Sequence, residues 1–287
     1  MSDKDLMLSG SINDPSSVLK NSLRFGKPYS SDEIDIQQVG TLQDFFTGMS
    51  KLHAAYLKLG LVTAQPGNML FSPWFFTAAN RLFLAKVDED VIGTIALIKQ
   101  SGQGLPAEKV FAREIDQSGC CPERTAEIGS LCIDESYRGG GVLRELYAWI
   151  ILYAVFFQRI DTLFIQVEAR KARFYRDVLF FKQVGESRLH PAYQNKPTAL
   201  LRADVKPTLA FLRKQLSPHK RLSLREVLKS MNINHLYSKL VERMKREQAW
   251  CWTAEHARHY CDRCCVRDEA LNSIQRAELQ KILNRNN

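Results

Sequence analysis

The chain has 287 residues and a formal net charge of +9, and 45% of its residues are hydrophobic, enough to bury the core of one or two globular domains. Its seven cysteines are odd in number, which argues against the disulfide framework of a secreted protein. The longest apolar run, residues 146–157, is too short to cross a bilayer, and the amino terminus lacks the basic and apolar segments of a secretory signal. We therefore expect a cytoplasmic protein with reduced thiols.

The amino-terminal part of the chain begins with a polar stretch. Residues 1–30 are predicted to be a flexible arm because few of them are aromatic. A short alternating strand is predicted at 34–39, and a capping pattern at Thr41 predicts a helix over 41–59. Residues 61–79 combine Pro and Gly with large apolar side chains, which predicts an aromatic loop. Such a loop either covers the core or lines an apolar channel.

The next elements alternate between strands and helices. Two strands joined by a tight turn predict a hairpin, and the later strands follow single helices. A strand, a crossover helix and another strand predict one parallel pair in the sheet. The predicted strands are 81–86, 91–99, 127–133, 162–167, 181–187 and 198–204, and the predicted helices are 107–115, 169–179 and the apolar run named above.

Three consecutive glycines link the strand at 127–133 to the apolar helix. They are Gly139, Gly140 and Gly141. The first N–H groups of a helix have no partner inside it, so a glycine turn at this place predicts a site for a ligand phosphate. Contiguous glycines do not have the dinucleotide-binding spacing, and an apolar pair follows where nucleotide hydrolases have Lys and Ser or Thr. A plain turn between strand and helix is the alternative.

The excess charge lies at the carboxy terminus. Residues 206–287 contain 17 Lys and Arg against 8 Asp and Glu. Helical spacing predicts an all-α module there, with helices at 223–231, 235–250 and 253–283. A basic helical module can contact an acidic protein, an anionic membrane face or nucleic acid. A solvated surface without a fixed partner is the alternative.

Cysteine, histidine and aromatic residues cluster in this module. A single C-x-x-C on one continuous helix cannot surround a metal ion alone, so we expect no metal site. Trp250, Trp252 and Tyr260 have helical spacing, which favours packing over stacking on nucleic acid. The cysteines and histidines concerned are Cys251, His256, His259, Cys261, Cys264 and Cys265.

The segment from Arg138 to Leu143 resembles the pyrophosphate loop of the GNAT acyltransferase superfamily, Gln/Arg-x-x-Gly-x-Gly/Ala. Leu143 departs from that pattern because the superfamily has Gly or Ala there. The order of the predicted elements is also similar. The resemblance implies an α/β (α+β) fold with a mixed, largely antiparallel sheet flanked by helices over residues 31–205, followed by the all-α module at 206–287.

Three further segments resemble the long-chain N-acyl amino acid synthases of the FeeM type, which are related to the autoinducer synthases. One resembles Asp-Ser-x-x-Gly-Leu-Pro-x-Glu-x-x-Phe, with Gln100 in place of the usual Asp. The second resembles Ala-Glu-x-Ser-x-Leu-Ala-Val, and the third is an aromatic turn before the final strand. The matching residues are Ser101, Gly104, Leu105, Pro106, Glu108 and Phe111, then Ala126, Glu127 and Leu131, then His190, Pro191, Tyr193, Pro197 and Leu200.

This resemblance implies transfer of a long-chain fatty acyl group from the thioester of acyl carrier protein to the amine of an amino acid, without a permanently bound cofactor. A phosphopantetheine donor carries one phosphate, which fits the incomplete glycine loop. Acyl carrier proteins are acidic, which fits the basic module. The alternatives are an acyl-CoA-dependent GNAT acetyltransferase, and a non-catalytic GNAT-like domain whose basic helical tail binds an acidic partner.

Attack of an amine on a thioester needs a neutral amine, a stabilised oxyanion and a protonated leaving thiolate. Glu127 is the candidate base, and an ion pair with an Arg is its alternative role. The N–H groups of Leu131 and Cys132 are the candidate oxyanion donors, where the strand separates from its neighbour. The Cys132 thiol itself is expected to be an inert hydrophobe. By resemblance to GNAT enzymes, Tyr175 is the candidate acid, with aromatic packing as its alternative.

The other candidates contact the donor phosphate or the acceptor. Arg138 and the three glycine N–H groups are the expected phosphate contacts, and Arg144 lies one turn into the helix. Glu168 and Arg170 are candidates for binding the amine and the carboxylate of the acceptor, with solvated charges as the alternative. The residues assigned to substrate binding by the resemblance alone are Ser101 and His190.

Overall fold

The computed structural model describes residues 34–138, 141–217, 223–247, 250–267 and 270–284. The arm predicted at residues 1–30 lies outside these ranges and stays a prediction. The strands are β1 Asp35–Gln38, β2 Arg81–Val87, β3 Asp90–Lys99, β4 Thr125–Ile133, β5 Thr162–Glu168, β6 Lys182–His190 and β7 Lys196–Asp204. The helices are α1 Leu42–Lys58, α2 Glu108–Asp116, α3 Val142–Phe156, α4 Ala172–Leu179, α5 Val205–Leu216, α6 Leu224–Ser230, α7 Asn234–Arg246, α8 Ala254–Arg263 and α9 Ser273–Leu283.

The seven strands form one mixed sheet in the order β1-β2-β3-β4-β5-β7-β6. β4 and β5 pair in parallel, whereas the other neighbouring strands pair antiparallel. The parallel pair is the one predicted from the strand, crossover helix and strand in the sequence. The mixed, largely antiparallel sheet flanked by helices is therefore confirmed.

Helices cover both faces of the sheet. On one face α3 packs against β3 and β4 and also against α7. Because α3 is covered from two sides, it can be apolar around most of its circumference. On the other face α1 packs across β2, β3 and β4, and the Thr41 hydroxyl caps α1 by accepting from the Asp44 N–H. The predicted capping pattern is thus confirmed. No helix within the described ranges has the length and apolar character needed to span a membrane.

The carboxy-terminal helices divide between the two faces. Buried residues of α5, α6 and α7 belong to the apolar core around α3, whereas those of α8 and α9 belong to the core around α1. The single helix predicted at 253–283 is wrong, because Asn272 and Gln275 form a capping box that begins α9 separately from α8. The helix predicted at 235–250 ends earlier, at Arg246. The domain boundary at 205/206 stays a prediction.

The aromatic loop at 61–79 is held by the carboxy-terminal helices. The Tyr260 hydroxyl accepts from the Ser72 N–H and donates to the Leu70 carbonyl, both at 2.9 Å. The Trp252 indole N–H donates to the Phe75 carbonyl at 2.7 Å. Trp252 and Tyr260 are buried, so the packing role predicted for them is confirmed. Three hydrogen bonds therefore fix the loop backbone from a segment almost 200 residues away.

Tyr260→Phe removes both hydrogen bonds to the loop and keeps the ring. We expect the free energy of unfolding to fall by about 1–3 kcal/mol, because the Ser72 N–H and the Leu70 carbonyl lose their partner in a mostly apolar setting. Urea denaturation measures this loss. Tyr237→Phe is the matched control, since Tyr237 is half-buried and its hydroxyl makes no hydrogen bond to the described residues. Equal stability of the two variants would show that the loop is not held by Tyr260.

Candidate functional site

The site begins where β4 and β5 separate. Their parallel pairing covers Thr125 to Ile128 on β4 and ends at the pair Ile128 and Ile165, although β4 continues to Ile133. Beyond this point β5 continues to pair with β7. The β5-facing edge of β4 is therefore without a paired strand from Gly129 onward, as the sequence predicted. Such an edge exposes backbone groups to a ligand.

A β-bulge in β4 lies at the same point. On the β3 side, Ser130 and Leu131 stand between the pairs formed by Gly129 and Cys132, opposite a single β3 residue. Ser130 has a φ of 50°, a left-handed conformation that is strained for a residue with a side chain. The buried Thr94 hydroxyl donates to the Ser130 carbonyl at 2.6 Å and stabilises this geometry. The bulge therefore redirects β4 next to the separation.

A cavity of about 480 Å³ opens beside the bulge, and we call it the β4 cavity. This volume is within the range of small-molecule binding sites. Its apolar wall comes from α1 and from the aromatic loop, and its polar side comes from β4, β5, α2 and the turn after β6. The lining residues that bear on function are Tyr56, Leu70, Phe71, Trp74, Lys109, Glu127, Gln166, His190 and Tyr193.

Glu127 lines the β4 cavity and is only 2% exposed. One carboxylate oxygen accepts from the Gln166 side chain at 2.8 Å, and the other accepts from the Ala107 N–H at 2.7 Å. Burial raises the pKa of Glu127 to about 7, although these two hydrogen bonds oppose the shift. Within the described ranges its partners are these neutral donors and not an Arg. A carboxyl group with this pKa can take a proton near neutral pH.

The segment before α2 explains how Glu127 is held. Gly104 has a φ of 71°, a left-handed conformation that favours glycine, and a Cβ there would crowd the Glu108 carboxylate. Glu108 in turn accepts from the Leu105 N–H at 3.0 Å. These contacts shape the turn that directs the Ala107 N–H at Glu127. Gly104, Leu105 and Glu108, which carry part of the family resemblance, thus help to position the Glu127 carboxyl group.

His190 and Tyr193 form another side of the β4 cavity. Their rings stack with centroids 4.1 Å apart. Burial, and then the positive charge of Lys109, lower the pKa of His190 to about 4, so the imidazole is neutral at pH 7. Burial and the nearby Glu127 carboxylate raise the pKa of the Tyr193 hydroxyl. The end of β6 and the turn after it therefore bring two uncharged polar rings to the cavity.

Tyr175 lies on α4 among other tyrosines. Its ring packs edge to face with Tyr147 at 5.6 Å and with Phe174 at 5.3 Å. Burial raises the pKa of Tyr175, and a hydrogen bond with Tyr147 opposes the shift, so the hydroxyl keeps its proton at neutral pH. Tyr175 contributes to the raised pKa of Tyr56, which lines the β4 cavity. The packing is thus present, and the acid role stays a prediction.

Cys132 follows the bulge on β4. Burial raises the pKa of its thiol, which lies 3.2 Å from the Thr94 hydroxyl. A buried protonated thiol is a poor nucleophile, which agrees with the expected inert role. Cys132 and Leu131 do not line the β4 cavity, whereas the preceding Gly129 and Ser130 do. The role of the Leu131 and Cys132 N–H groups as oxyanion donors stays a prediction.

The glycine corner lies at the amino terminus of α3. Gly141 is the N-cap residue and has a φ of 92°, a conformation that favours glycine. Gly139 and Gly140 lie outside the described residues. Arg138 is exposed and pairs with Glu135 at 3.3 Å, and Arg144 is half-buried one turn into the helix. Phosphate binding by these residues stays a prediction.

Three predicted acceptor contacts lie outside the β4 cavity lining. Ser101 is exposed, and its hydroxyl accepts from the Gln103 N–H at 3.3 Å. Arg170 pairs with Glu168 at 2.6 Å. Burial raises the pKa of Glu168, but the hydrogen bond from Arg170 and nearby lysine charges outweigh it and lower the pKa. Of the residues predicted for the acceptor, His190 is the one that the structure brings together with Glu127.

Two residues that line the β4 cavity were not predicted from the sequence. Gln166, on the neighbouring strand β5, donates a hydrogen bond to Glu127, and Lys109 occupies a position that the family pattern leaves unspecified. A polar residue in the apolar strand β5 was the available signal for Gln166. Within the described ranges, no three His, Cys, Asp or Glu side chains are placed together to hold a metal ion.

Comparison with known proteins identifies relatives of this arrangement. A family model described as "N-acyl amino acid synthase FeeM" matches residues 51–204. The solved structure of FeeM, an N-acyl amino acid synthase from uncultured soil microbes, is similar with a TM-score of 0.52 at 18% identity, covering 62% of this chain and 93% of that chain. The structure of BjaI, a CoA-dependent acyl-homoserine lactone synthase solved with SAM and isopentyl-CoA, has a TM-score of 0.51 at 15% identity and covers 69% and 98% of the two chains. No curated protein matches the sequence.

The raised pKa of Glu127 predicts a pH-dependent stability. In the native protein the Glu127 carboxyl group keeps its proton up to about pH 7, whereas in the unfolded chain it loses the proton near pH 4.5. The contribution of Glu127 to the free energy of unfolding is therefore complete below pH 4.5 and is lost as the pH rises to 7. The change corresponds to about 3 kcal/mol. Urea denaturation of the wild type and of Glu127→Gln between pH 4.5 and 7.5 measures it. If the two stability curves run parallel, Glu127 does not titrate as described.

Proposed function

Because the chain belongs to the FeeM family of N-acyl amino acid synthases and is thus an acyltransferase, we propose that it transfers a long-chain fatty acyl group from acyl carrier protein to the amine of an amino acid. The observation that carries this proposal is the Glu127 carboxyl group, buried beside the separation of β4 and β5, with a pKa of about 7. It is the one carboxyl group that lines the β4 cavity among the described residues. A base of this strength is what an amino-acid ammonium group requires before it can attack.

The acceptor enters the β4 cavity in this proposal. Its ammonium group loses a proton to Glu127, directly or through a water molecule, and becomes a neutral amine. The amine nitrogen then attacks the thioester carbonyl carbon and forms the new C–N bond. Gln166 and the Ala107 N–H keep the Glu127 carboxylate oriented during this step. The apolar wall formed by Leu70, Phe71 and other loop residues suits the adjacent fatty acyl chain.

The collapse of the tetrahedral intermediate breaks the C–S bond. The unpaired edge of β4 after Ile128 offers backbone N–H groups to the oxyanion, with Leu131 and Cys132 as the proposed donors. Tyr175 is the proposed acid, because its protonated hydroxyl can donate to the departing thiolate while Tyr147 holds the ring. The nitrogen gives its second proton to the deprotonated Tyr175 oxygen through water, which restores the acid. The products are the neutral amide and the free thiol of the pantetheine arm, and Glu127 releases the first proton to solvent.

The donor is proposed to be a phosphopantetheine thioester on acyl carrier protein, and acyl-CoA is the alternative. The phosphate would lie at the glycine corner, near Gly141, Arg138 and Arg144. The positive charge that residues 206–287 carry suits an acidic carrier protein, and an anionic membrane face is the other partner proposed for it. An acyl carrier protein donor would place the reaction in the cytoplasm.

The function is tested by incubating the protein with long-chain acyl carrier protein and a mixture of amino acids, followed by mass spectrometry. We expect an N-acyl amino acid and free carrier protein in equal amounts. A parallel incubation with acyl-CoA of the same chain length distinguishes the donors. If product forms from acyl-CoA alone, acyl-CoA and not acyl carrier protein is the donor. If neither donor gives an amide, the proposed function is wrong.

Glu127→Gln tests the base. We expect kcat to fall by about 10²- to 10⁴-fold, because the amide cannot take the ammonium proton. In the wild type, kcat/KM should rise with pH up to about 7, the pKa of Glu127, and then level off. Glu186→Gln, at an exposed position on β6, is the matched control and should keep the wild-type rate. An unchanged rate in Glu127→Gln would assign the proton transfer to another group.

A further inference from the structure

The β4 cavity contains one group of each charge among its described lining residues. Glu127 is its carboxyl group and Lys109 is its cation, while the other polar residues that line it are neutral. Glu127 is buried, whereas Lys109 is exposed. Lys109 follows Ala107, whose N–H holds Glu127, by two positions, so the start of α2 places both charges at one cavity.

An aromatic ring holds Lys109 at the cavity, and no carboxylate among the described residues neutralises it. Its ammonium group lies 4.9 Å from the centroid of the Trp74 ring, which also lines the cavity. This distance is within the range of a cation–π interaction. Within the described ranges no carboxylate forms an ion pair with Lys109. Although Lys109 as a residue is exposed, partial burial around its ammonium group lowers its pKa.

His190 provides an independent indication of a ligand at the same place. It is 4% exposed and lines the cavity, yet its Nδ1 atom has no hydrogen-bond partner among the described residues. A buried polar atom without a partner is costly unless a ligand or a water molecule bonds to it. Lys109 and His190 are close enough for the lysine charge to act on the imidazole. A cation and an unpaired buried imidazole therefore face one part of the cavity.

We propose that Lys109 and His190 bind the α-carboxylate of the acceptor amino acid while Glu127 faces its ammonium group. The inference rests on the proposed function and deepens it by assigning the two ends of the acceptor. The Lys109 ammonium and an imidazole N–H donate to the carboxylate oxygens, and such charge-assisted hydrogen bonds are strong. A simple amine without a carboxylate leaves the Lys109 charge facing an uncharged group. Lys109 is therefore a specificity-determining residue that selects α-amino acids over other amines.

The test compares an accepted amino acid with its carboxamide derivative, which keeps the amine and loses the negative charge. For Lys109→Met we expect kcat/KM toward the amino acid to fall by about 10- to 100-fold, mainly through KM, because a hydrogen bond between charged groups is lost. The value toward the carboxamide should stay within about 3-fold of the wild type, since its interaction with Lys109 is weak. Lys109→Arg keeps a cation and should lose less than Lys109→Met.

Lys182→Met is the matched control, because Lys182 is exposed on β6 and lies outside the β4 cavity. It should leave the values for both acceptors unchanged. Equal losses toward the amino acid and its carboxamide in Lys109→Met would overturn the inference while the proposed function stands. If the wild type forms no amide, calorimetric titration with an N-acyl amino acid and with its methyl ester tests the carboxylate subsite independently of the reaction. The subsite is supported if the wild type binds the free acid more tightly than the ester and Lys109→Met loses this difference. Equal binding of the acid and the ester by the wild type overturns it.

Discussion

The burial of the Glu127 carboxyl group is the constraint on which the rest of the site depends. Removing an ionised carboxylate from water costs more free energy than two hydrogen bonds from neutral donors offset. The Glu127 carboxyl group therefore stays protonated up to near neutral pH. An Arg partner would have stabilised the carboxylate and lowered its pKa. The neutral donors come from different elements, Gln166 on β5 and the Ala107 N–H before α2. The basicity of Glu127 is therefore set by how β4 is flanked in the sheet, and not by Glu127 alone.

The same strand supplies an unpaired backbone edge, and the two features are coupled. If β4 and β5 stayed paired to their ends, the backbone groups of β4 after Ile128 would be used in the sheet and unavailable to a ligand. The bulge at Ser130 turns the strand away from this pairing, and the Thr94 hydroxyl offsets part of the backbone strain. Parallel pairing at the start of β4 fixes Glu127, and the separation after it leaves an unpaired backbone edge. The proposed base and the proposed contacts of the reacting carbonyl therefore lie along one strand.

Local patterns in the sequence predicted most of the strands and the capped helix α1, because each depends on neighbours a few residues apart. The order of strand, crossover helix and strand predicted the parallel pair, and the family resemblance implied the mixed sheet. The separation of the last helical stretch into α8 and α9 was missed, although Asn272 and Gln275 show the spacing of a capping box. Glu127 could be predicted because its segment resembles a known family. The roles of Gln166 and Lys109 were not predicted, because they arise when β5 and α2 meet around β4. The polar position of Gln166 in an apolar strand signals the residue but not its partner.

The carboxy-terminal helices contribute both to the surface charge of the protein and to the shape of the β4 cavity. Their apolar side is part of the core, and Tyr260 and Trp252 hold the loop that provides the apolar wall of the β4 cavity. Some of their basic residues are already paired: Arg243 contacts Asp35 and Glu247, and Lys281 contacts Glu278. A pair of opposite charges contributes little to the long-range electrostatic field. Attraction of an acidic partner would therefore depend on the net positive charge that remains after such pairs are discounted. Deleting these helices would change the cavity wall and the surface charge together, whereas reversing single exposed charges changes only the surface.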